Sequence, residues 1–280
     1  MALNPIEIPK LVLKPSNGWV PLDLKDLWRY RELIYFMTWR DLTVRYKQTL
    51  LGVSWAILRP LLTMVVFSIF FGGLAKMPSD GVPYPIFTFT ALLPWELFVT
   101  ALTIASRSLV NNSNMITKVY FPRIILPISS ILGGVADFGI AFLVMIAMMI
   151  FYQFTPTVNV WIIPFLLILT IMASIGVALW LSAMNVLYRD VGYVTPFIQQ
   201  LWLYITPIAY PASLVPEKWQ LVYALNPMTG VVEGFRWALL GTMQNPPVNL
   251  LLTSTTVALV LLVSGLFYFR RMERLFADMV

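Results

Sequence analysis

The chain has 280 residues, 59% of them hydrophobic and 11% charged, with a formal net charge of +6 and neither cysteine nor histidine. Soluble domains carry about 25% charged residues, so this is membrane-protein composition, and disulfides, thiolate metal sites and imidazole acid–base chemistry are excluded. The positive charge calls for no nucleic acid, because the anionic cytoplasmic leaflet is the ordinary partner of such residues.

Residues 1–21, punctuated by Pro5, Pro9, Pro15 and Pro21, read as an N-terminal cytoplasmic tail, since proline removes a backbone donor and disfavours helix in the residue before it. The segment near Met1 has no apolar core of the signal-peptide kind, which leaves the first span as the insertion signal. Residues 22–280 are expected to form one transmembrane domain. Tyr35, Trp39, Leu42 and Tyr46 recur at spacings of four, three and four and share one helix face, with Arg40, Asp41, Arg45, Lys47 and Gln48 opposite. Such a helix either packs on the bundle or lies along the membrane surface, and its place just before the first span favours the surface.

Six apolar runs follow, over residues 52–74, 84–106, 124–152, 158–187, 192–210 and 249–269. Each is long enough, at about 1.5 Å per residue, to cross a hydrocarbon layer about 30 Å thick. The fold class expected is therefore an all-α membrane protein with six transmembrane helices and an N-terminal amphipathic interface helix. Lys and Arg crowd the two termini and the loops carrying Arg107, Lys118, Arg123 and Arg189, whereas the opposite side holds Lys76, Lys218 and Arg236. The positive-inside rule then places both termini in the cytoplasm.

Within the first span, Trp55, Phe67 and Phe70 are aromatic, with lipid-facing packing as the default. Arg59 before Pro60 is expected to snorkel to the cytoplasmic interface. Glu96 in the second span and Asp137 in the third are costly at mid-membrane, so each marks either a proton or substrate site or a carboxyl tied between helices. The loop at 110–122 offers Asn111, Asn112, Ser113 and Asn114 as caps for a short helix, then Met115, Ile116, Lys118, Val119, Tyr120 and Phe121. Apolar and aromatic side chains in a cytoplasmic loop point to a docking surface for another protein. The fifth run places Tyr193, Phe197, Gln200 and Tyr204 on one face at spacings of four, three and four. That mixture of rings and amide suits sugar, and it suits a helix–helix contact equally. Residues 211–247 are too long and apolar for a simple loop: Trp219 and its neighbours, then Phe235 and Trp237, read as two short external re-entrant helices separated by Asn226-Pro227. No glycine is followed by lysine, so no phosphate-cradling loop is present.

Arg40-Asp41-Leu42, Val44 to Thr49 and Leu51-Gly52, then Trp55-Ala56, Leu58 and Pro60, resemble the leading motif of ABC-2 type permeases of bacterial polysaccharide export. So do Leu92-Leu93-Pro94-Trp95, the block Asn114, Ile116, Lys118 to Arg123, and the late block Leu225 to Met228, Gly230 and Glu233 to Arg236. The blocks occur in the expected order from about Leu24 to Leu275. The resemblance implies a homodimeric permease in the bacterial inner membrane, bound to two copies of a separate cytoplasmic ABC ATPase that holds the ATP and magnesium. It implies no cofactor in this chain. The implied cargo is an undecaprenyl-linked polysaccharide: O-antigen, capsule or a teichoic acid precursor.

By resemblance, Asn114, Met115, Ile116, Lys118, Tyr120, Phe121 and Arg123 would form the ATPase-coupling helix. Tyr35, Trp39, Arg40, Asp41 and Arg45 would belong to the gate helix, and Trp219, Phe235 and Trp237 to the external gate. The first and fifth spans would line the channel. A rival of another class is an ion-coupled secondary transporter using Glu96 and Asp137, although no repeat relates the first three spans to the last three. A membrane transferase lacks a loop carboxylate cluster, and a receptor or scaffold role has no positive sign.

Overall fold

The structure, a computed structural model, describes residues 28–47, 49, 52–242 and 246–276. The tail expected over 1–21, and Gln48, lie outside the described residues. Among the described residues there is no strand, and the chain is a succession of helices. In chain order they are α1 (Arg31–Lys47), α2 (Ser54–Phe67, running on as a π-helical segment Ser68–Leu74), α3 (Tyr84–Asn111), α4 (Ser113–Lys118) and α5 (Ile125–Phe151). Then come α6 (Ile163–Leu187, preceded by a short 3-10 segment Val158–Ile162), α7 (Val191–Ile205), α8 (Glu217–Tyr223), α9 (Pro227–Leu240) and α10 (Val248–Met272).

Among the described residues, five stretches are long and apolar enough to cross a membrane: Ser54–Leu74, Tyr84–Asn111, Ile125–Phe151, Val158–Leu187 and Val248–Leu275. The fifth expected span behaves differently. Its helix, α7, has 15 residues, about 22 Å at 1.5 Å per residue, short of the ~30 Å hydrocarbon thickness. The stop is local and covalent. Thr206 precedes Pro207 and sits at φ −85°, ψ 140°, the extended region to which a following proline pushes its neighbour. A continuous helix over 192–210 was expected and is not formed. The count of long spans is five here, against an expected six.

The core is organised around α3. In its most apolar stretch 83% of the residues are buried, whereas in α2 the figure is 11%. Helix α3 packs against α5, α6, α9 and α2, and α6 packs against α10. That last crossing is close. A Cβ at Gly176 would meet the Leu261 carbonyl carbon and the Leu262 nitrogen at 2.6 Å, and one at Gly265 would meet Gly176 O at 2.4 Å. Small residues let backbones approach in lipid, where no hydrophobic force drives helices together.

Two short helices form either side of Asn226-Pro227, as expected. The Asn226 side chain accepts from Met228 N at 3.0 Å, capping α9. Gly241, at φ +65°, ends it in the left-handed conformation that lacks a Cβ penalty. All 14 residues of α9 are buried. It is therefore an element of the interior, packed on α10, α3 and α6, and not a lid resting on the outer surface.

Candidate functional site

Helix α1 docks on α5 with a face that mixes the expected stripe and its polar side: Leu42 and Tyr46 turn toward α5 together with Asp41 and Arg45. Met37 is its one buried residue. Thr38 Oγ1 donates to Ser129 O at 3.3 Å, Ser130 Oγ donates to Asp41 Oδ2 at 3.4 Å, and Arg45 Nη1 pairs with Asp137 Oδ2 at 2.5 Å. Asp41 and Arg45 thus face protein, while Tyr35 and Trp39 are 71% and 61% exposed. The reason is energetic. Asp137 in a span requires a cation or a donor, which Arg45 and Tyr46 supply, and aromatic rings are at home in the headgroup layer.

The Tyr46 hydroxyl also donates to Asp137 Oδ1. Burial foremost, with the hydrogen bond and negative charge of Asp137, pushes this phenol up to about 12. It therefore stays protonated, and a donor, through the physiological range.

A cavity of about 690 Å³ lies between α1, α2, α3 and α5. It is lined by three arginine–carboxylate pairs: Arg40–Asp41 at 2.8 Å, Arg45–Asp137 at 2.5 Å and Arg59–Glu96 at 3.2 Å. Arg59, expected to reach the interface alone, instead carries the counter-charge for Glu96. Each intramembrane acid thus has an arginine partner on another helix. Among the described residues no group of carboxylates is placed to hold a metal ion.

The loop after α3 forms the short helix expected, yet its cap does not act as a cap. Asn112 stands at the N-cap with no side-chain cap bond. Its Nδ2 donates back to Ser108 O at 2.8 Å, and its Oδ1 accepts from Arg40 Nη2 at 3.0 Å. In the coupling set, Asn114, Lys118 and Tyr120 are exposed, Met115 is half-buried, and Ile116 and Phe121 are buried. Arg123 is clamped to the end of α10: its guanidinium donates to Glu273 O, and its backbone N–H to Glu273 Oε1 at 3.2 Å. Of that set Asn114, Lys118 and Tyr120 are left exposed, while Ile116 and Phe121 belong to an apolar cluster that also holds Met37, Phe269 and Phe276.

The expected wall residues stand outside the packed interior. Trp55 and Phe70 on the first span, and Tyr193, Phe197, Gln200 and Tyr204 on α7, are exposed, and Phe67 is half-covered. On α7 the amide that turns inward is Gln199, which accepts from Thr103 Oγ1 at 3.0 Å.

At the external end the expected gate residues part company. Trp219 is 55% exposed, whereas Phe235 and Trp237 are buried, Phe235 edge-on to Phe138. Glu233 and Arg236, which the sequence marked as part of the late motif block and, for Arg236, as a charge on the far side, form a fully buried ion pair at 2.9 Å. Arg236 also donates to Ile208 O at 2.9 Å, Tyr210 O at 3.3 Å and Phe87 O at 3.4 Å, with its guanidinium carbon 3.6 Å from the Phe87 ring centroid. Glu233 Oε1 accepts from Ala212 N at 3.0 Å as well. The i, i+3 spacing of opposite charges inside an otherwise apolar segment was the available signal.

The chain is thus a bundle of apolar helices whose intramembrane acids have arginine partners and whose α2 and α7 expose aromatic side chains. The chain belongs to the ABC-2 type transporter family, which it matches over residues 32–240, from the start of α1 to the end of α9. It is thus a transport subunit and not an enzyme, with ATP hydrolysis on a separate subunit.

Similar proteins include the O-antigen export system permease protein RfbA of Klebsiella pneumoniae, 28% identical over 251 residues, 89% of this chain and 95% of the relative. The protein of the same name from Myxococcus xanthus is 29% identical over 255 residues, 89% and 96% of the two chains. The polysialic acid transport protein KpsM of Escherichia coli is 22% identical over 206 residues, 72% and 78% of the two chains.

Proposed function

We propose that this chain is the permease subunit of an ATP-driven exporter that carries lipid-linked polysaccharide, O-antigen first among the candidates, across the bacterial inner membrane. The observation that carries the reading is the similarity, end to end over 95% and 96% of their lengths, to two O-antigen export permeases. Two subunits would pair to enclose a channel, each supplying half the wall. The uncovered rings and amide of α7 and the aromatic side of the first span support that pairing, because in lipid or in a channel they find the contacts the subunit interior does not give them. Rings that hold sugar weakly and repeatedly let a polymer slide, whereas tight binding would stall it.

With both termini cytoplasmic, α7 and the turn at 206–210 together make the fifth of six crossings, α8 and α9 re-enter from outside, and α4 faces the cytoplasmic ATPase. Two ATPase copies closing on ATP push α4 and reset α1 and the external end. An undecaprenyl carrier suits a chain whose cargo has a lipid anchor and a polar polymer.

The test is export in vesicles containing this chain and its ATPase, with lipid-linked polymer supplied on the ATPase side. ATP-dependent appearance of polymer on the far side is expected. Export driven by a pH gradient without ATPase, and lost in Glu96→Gln or Asp137→Asn, would establish the ion-coupled rival instead; the arginine partner of each acid argues against it. The similarity to KpsM supports capsular polysaccharide as the second cargo, and feeding each polymer in turn separates the two.

A further inference from the structure

We propose that Asn112 is a positioning residue that transmits the tilt of α4 to α1, so that the ATPase-facing helix moves the interface helix directly. The proposal rests on the reading of α4 as the ATPase-facing element. Three observations converge on it.

Asn112 sits at the single break between α3 and α4, with φ −109° and ψ 25°, outside the helical region of either. An asparagine there would ordinarily cap α4. Its side chain is used elsewhere: it holds Ser108 O of the last turn of α3 at 2.8 Å and Arg40 of α1 at 3.0 Å. The guanidinium of Arg40 is not free to follow a wandering partner. Asp41 Oδ1 takes its Nη2 at 2.8 Å and its Nε at 3.1 Å, and Asp41 Oδ2 in turn accepts from Ser130 of α5 at 3.4 Å.

The result is a relay from the α3–α4 joint through α1 to α5. Rotation of the joint must either carry Arg40 along or break a charge-assisted hydrogen bond. An apolar link runs in parallel, since Met37 of α1 and Ile116 of α4 share one buried cluster at this end of the bundle. The apolar link keeps the two helices in register, and the polar link makes their relation directional.

The chain has no cysteine, so paired spin labels report without background. In the reconstituted complex with its ATPase, labels at exposed Val44 and Thr117 are expected to keep one separation in nucleotide-free and ATP-trapped states, while each shifts relative to a label at Leu132 of α5. In Asn112→Ala the Val44–Thr117 separation should change between the two states. Polymer exported per ATP hydrolysed should fall about tenfold, the loss of one hydrogen bond to a charged group, with ATPase recovery unchanged. Asn112→Asp keeps an acceptor for Arg40 and should restore the ratio to within about twofold. Arg40→Gln should match Asn112→Ala, and the double variant should be no worse than either alone.

A wild-type export ratio in Asn112→Ala, or losses that multiply in the double variant, would overturn the proposal. If Tyr120→Ala leaves ATPase recovery intact, the reading of α4 fails by itself. The label distances then still decide whether α1 follows α4.

Discussion

Removing the guanidinium of Arg236 should loosen the external end of the bundle more than any other single change on α9. The side chain is wholly buried. Replacing it with glutamine strips the Glu233 carboxylate of its counter-charge and leaves the carbonyls of Ile208, Tyr210 and Phe87 without their donor. Breaking a buried pair by deleting one partner costs about 3–5 kcal/mol, because the remaining charge is stranded in a low dielectric.

Glu233→Gln is the informative control. Both bonds to Glu233 go to Oε1, and Oε2 has no partner. An amide oxygen in the same place keeps both, so this variant strands the Arg236 charge but leaves it every hydrogen-bond acceptor, and should cost less than Arg236→Gln. Arg236→Met with Glu233→Leu removes both charges and should recover part of the loss. Thermal unfolding in detergent, followed by tryptophan fluorescence, reads the order: Arg236→Gln lowest, by about 10 °C, Glu233→Gln between, and the double variant above Arg236→Gln. Equal melting of Arg236→Gln and wild type would refute the argument that this pair fastens α9 to the 206–212 stretch.

Other outcomes follow from single residues. Tyr120 is 71% exposed and Phe121 only 5%, so Tyr120→Ala should reduce ATPase co-purification without lowering the melting temperature. Phe121→Ala should lower it by opening a cavity worth about 3–5 kcal/mol. Gly176→Ala places a Cβ at 2.6 Å from the backbone of α10 and should cost at least about 1–3 kcal/mol, read as loss of monodisperse protein on size-exclusion chromatography. The phenol of Tyr46 stands at about 12 against an ordinary 10.0, so the folded state holds a proton that the unfolded chain releases between those values. Stability must therefore be insensitive to this group below about pH 10 and fall as pH rises toward 12. Melting temperatures across that window, with Tyr46→Phe as the control that lacks the decline, check the sign.

The sequence carried the long spans well because length and apolarity are local properties. Runs expected at 124–152 and 84–106 became Ile125–Phe151 and Tyr84–Asn111. The second overran its estimate because Arg107, which looked like a boundary, finds Gly192 O at 2.8 Å and stays in the helix. The 192–210 run misled because hydropathy ignores backbone chemistry. Pro207 was in plain view, and its effect on Thr206 was the better guide. The paired helices around Asn226-Pro227 were legible because cap and proline signals are also local.

What could not be read was who meets whom. Asp137 is 92 residues from Arg45 and 91 from Tyr46, and no periodicity announces a partner at that distance. Sorting α1 into an aromatic and a charged face did not hold, since Tyr46 of one and Arg45 of the other meet the same carboxylate while Tyr35 and Trp39 stay exposed. In water the rings would turn inward. At a membrane interface they turn outward, and the arginine turns inward because an acid in the span awaits it.

The same logic explains why the coupling residues divide as they do. An exposed ring such as Tyr120 and a buried one such as Phe121 are neighbours in sequence, yet one is left uncovered and the other roots the loop. Only the location of the apolar cluster beneath, contributed by α1, α4 and the end of α10, decides between them. A charge buried with its partner, as at Arg236, tells of a fixed element. The charges around the 690 Å³ cavity are partly exposed pairs, so a change at one of them costs less stability than a change at a buried one. Deleting one partner therefore costs most at Glu233 and Arg236, where the stranded charge has no water to turn to.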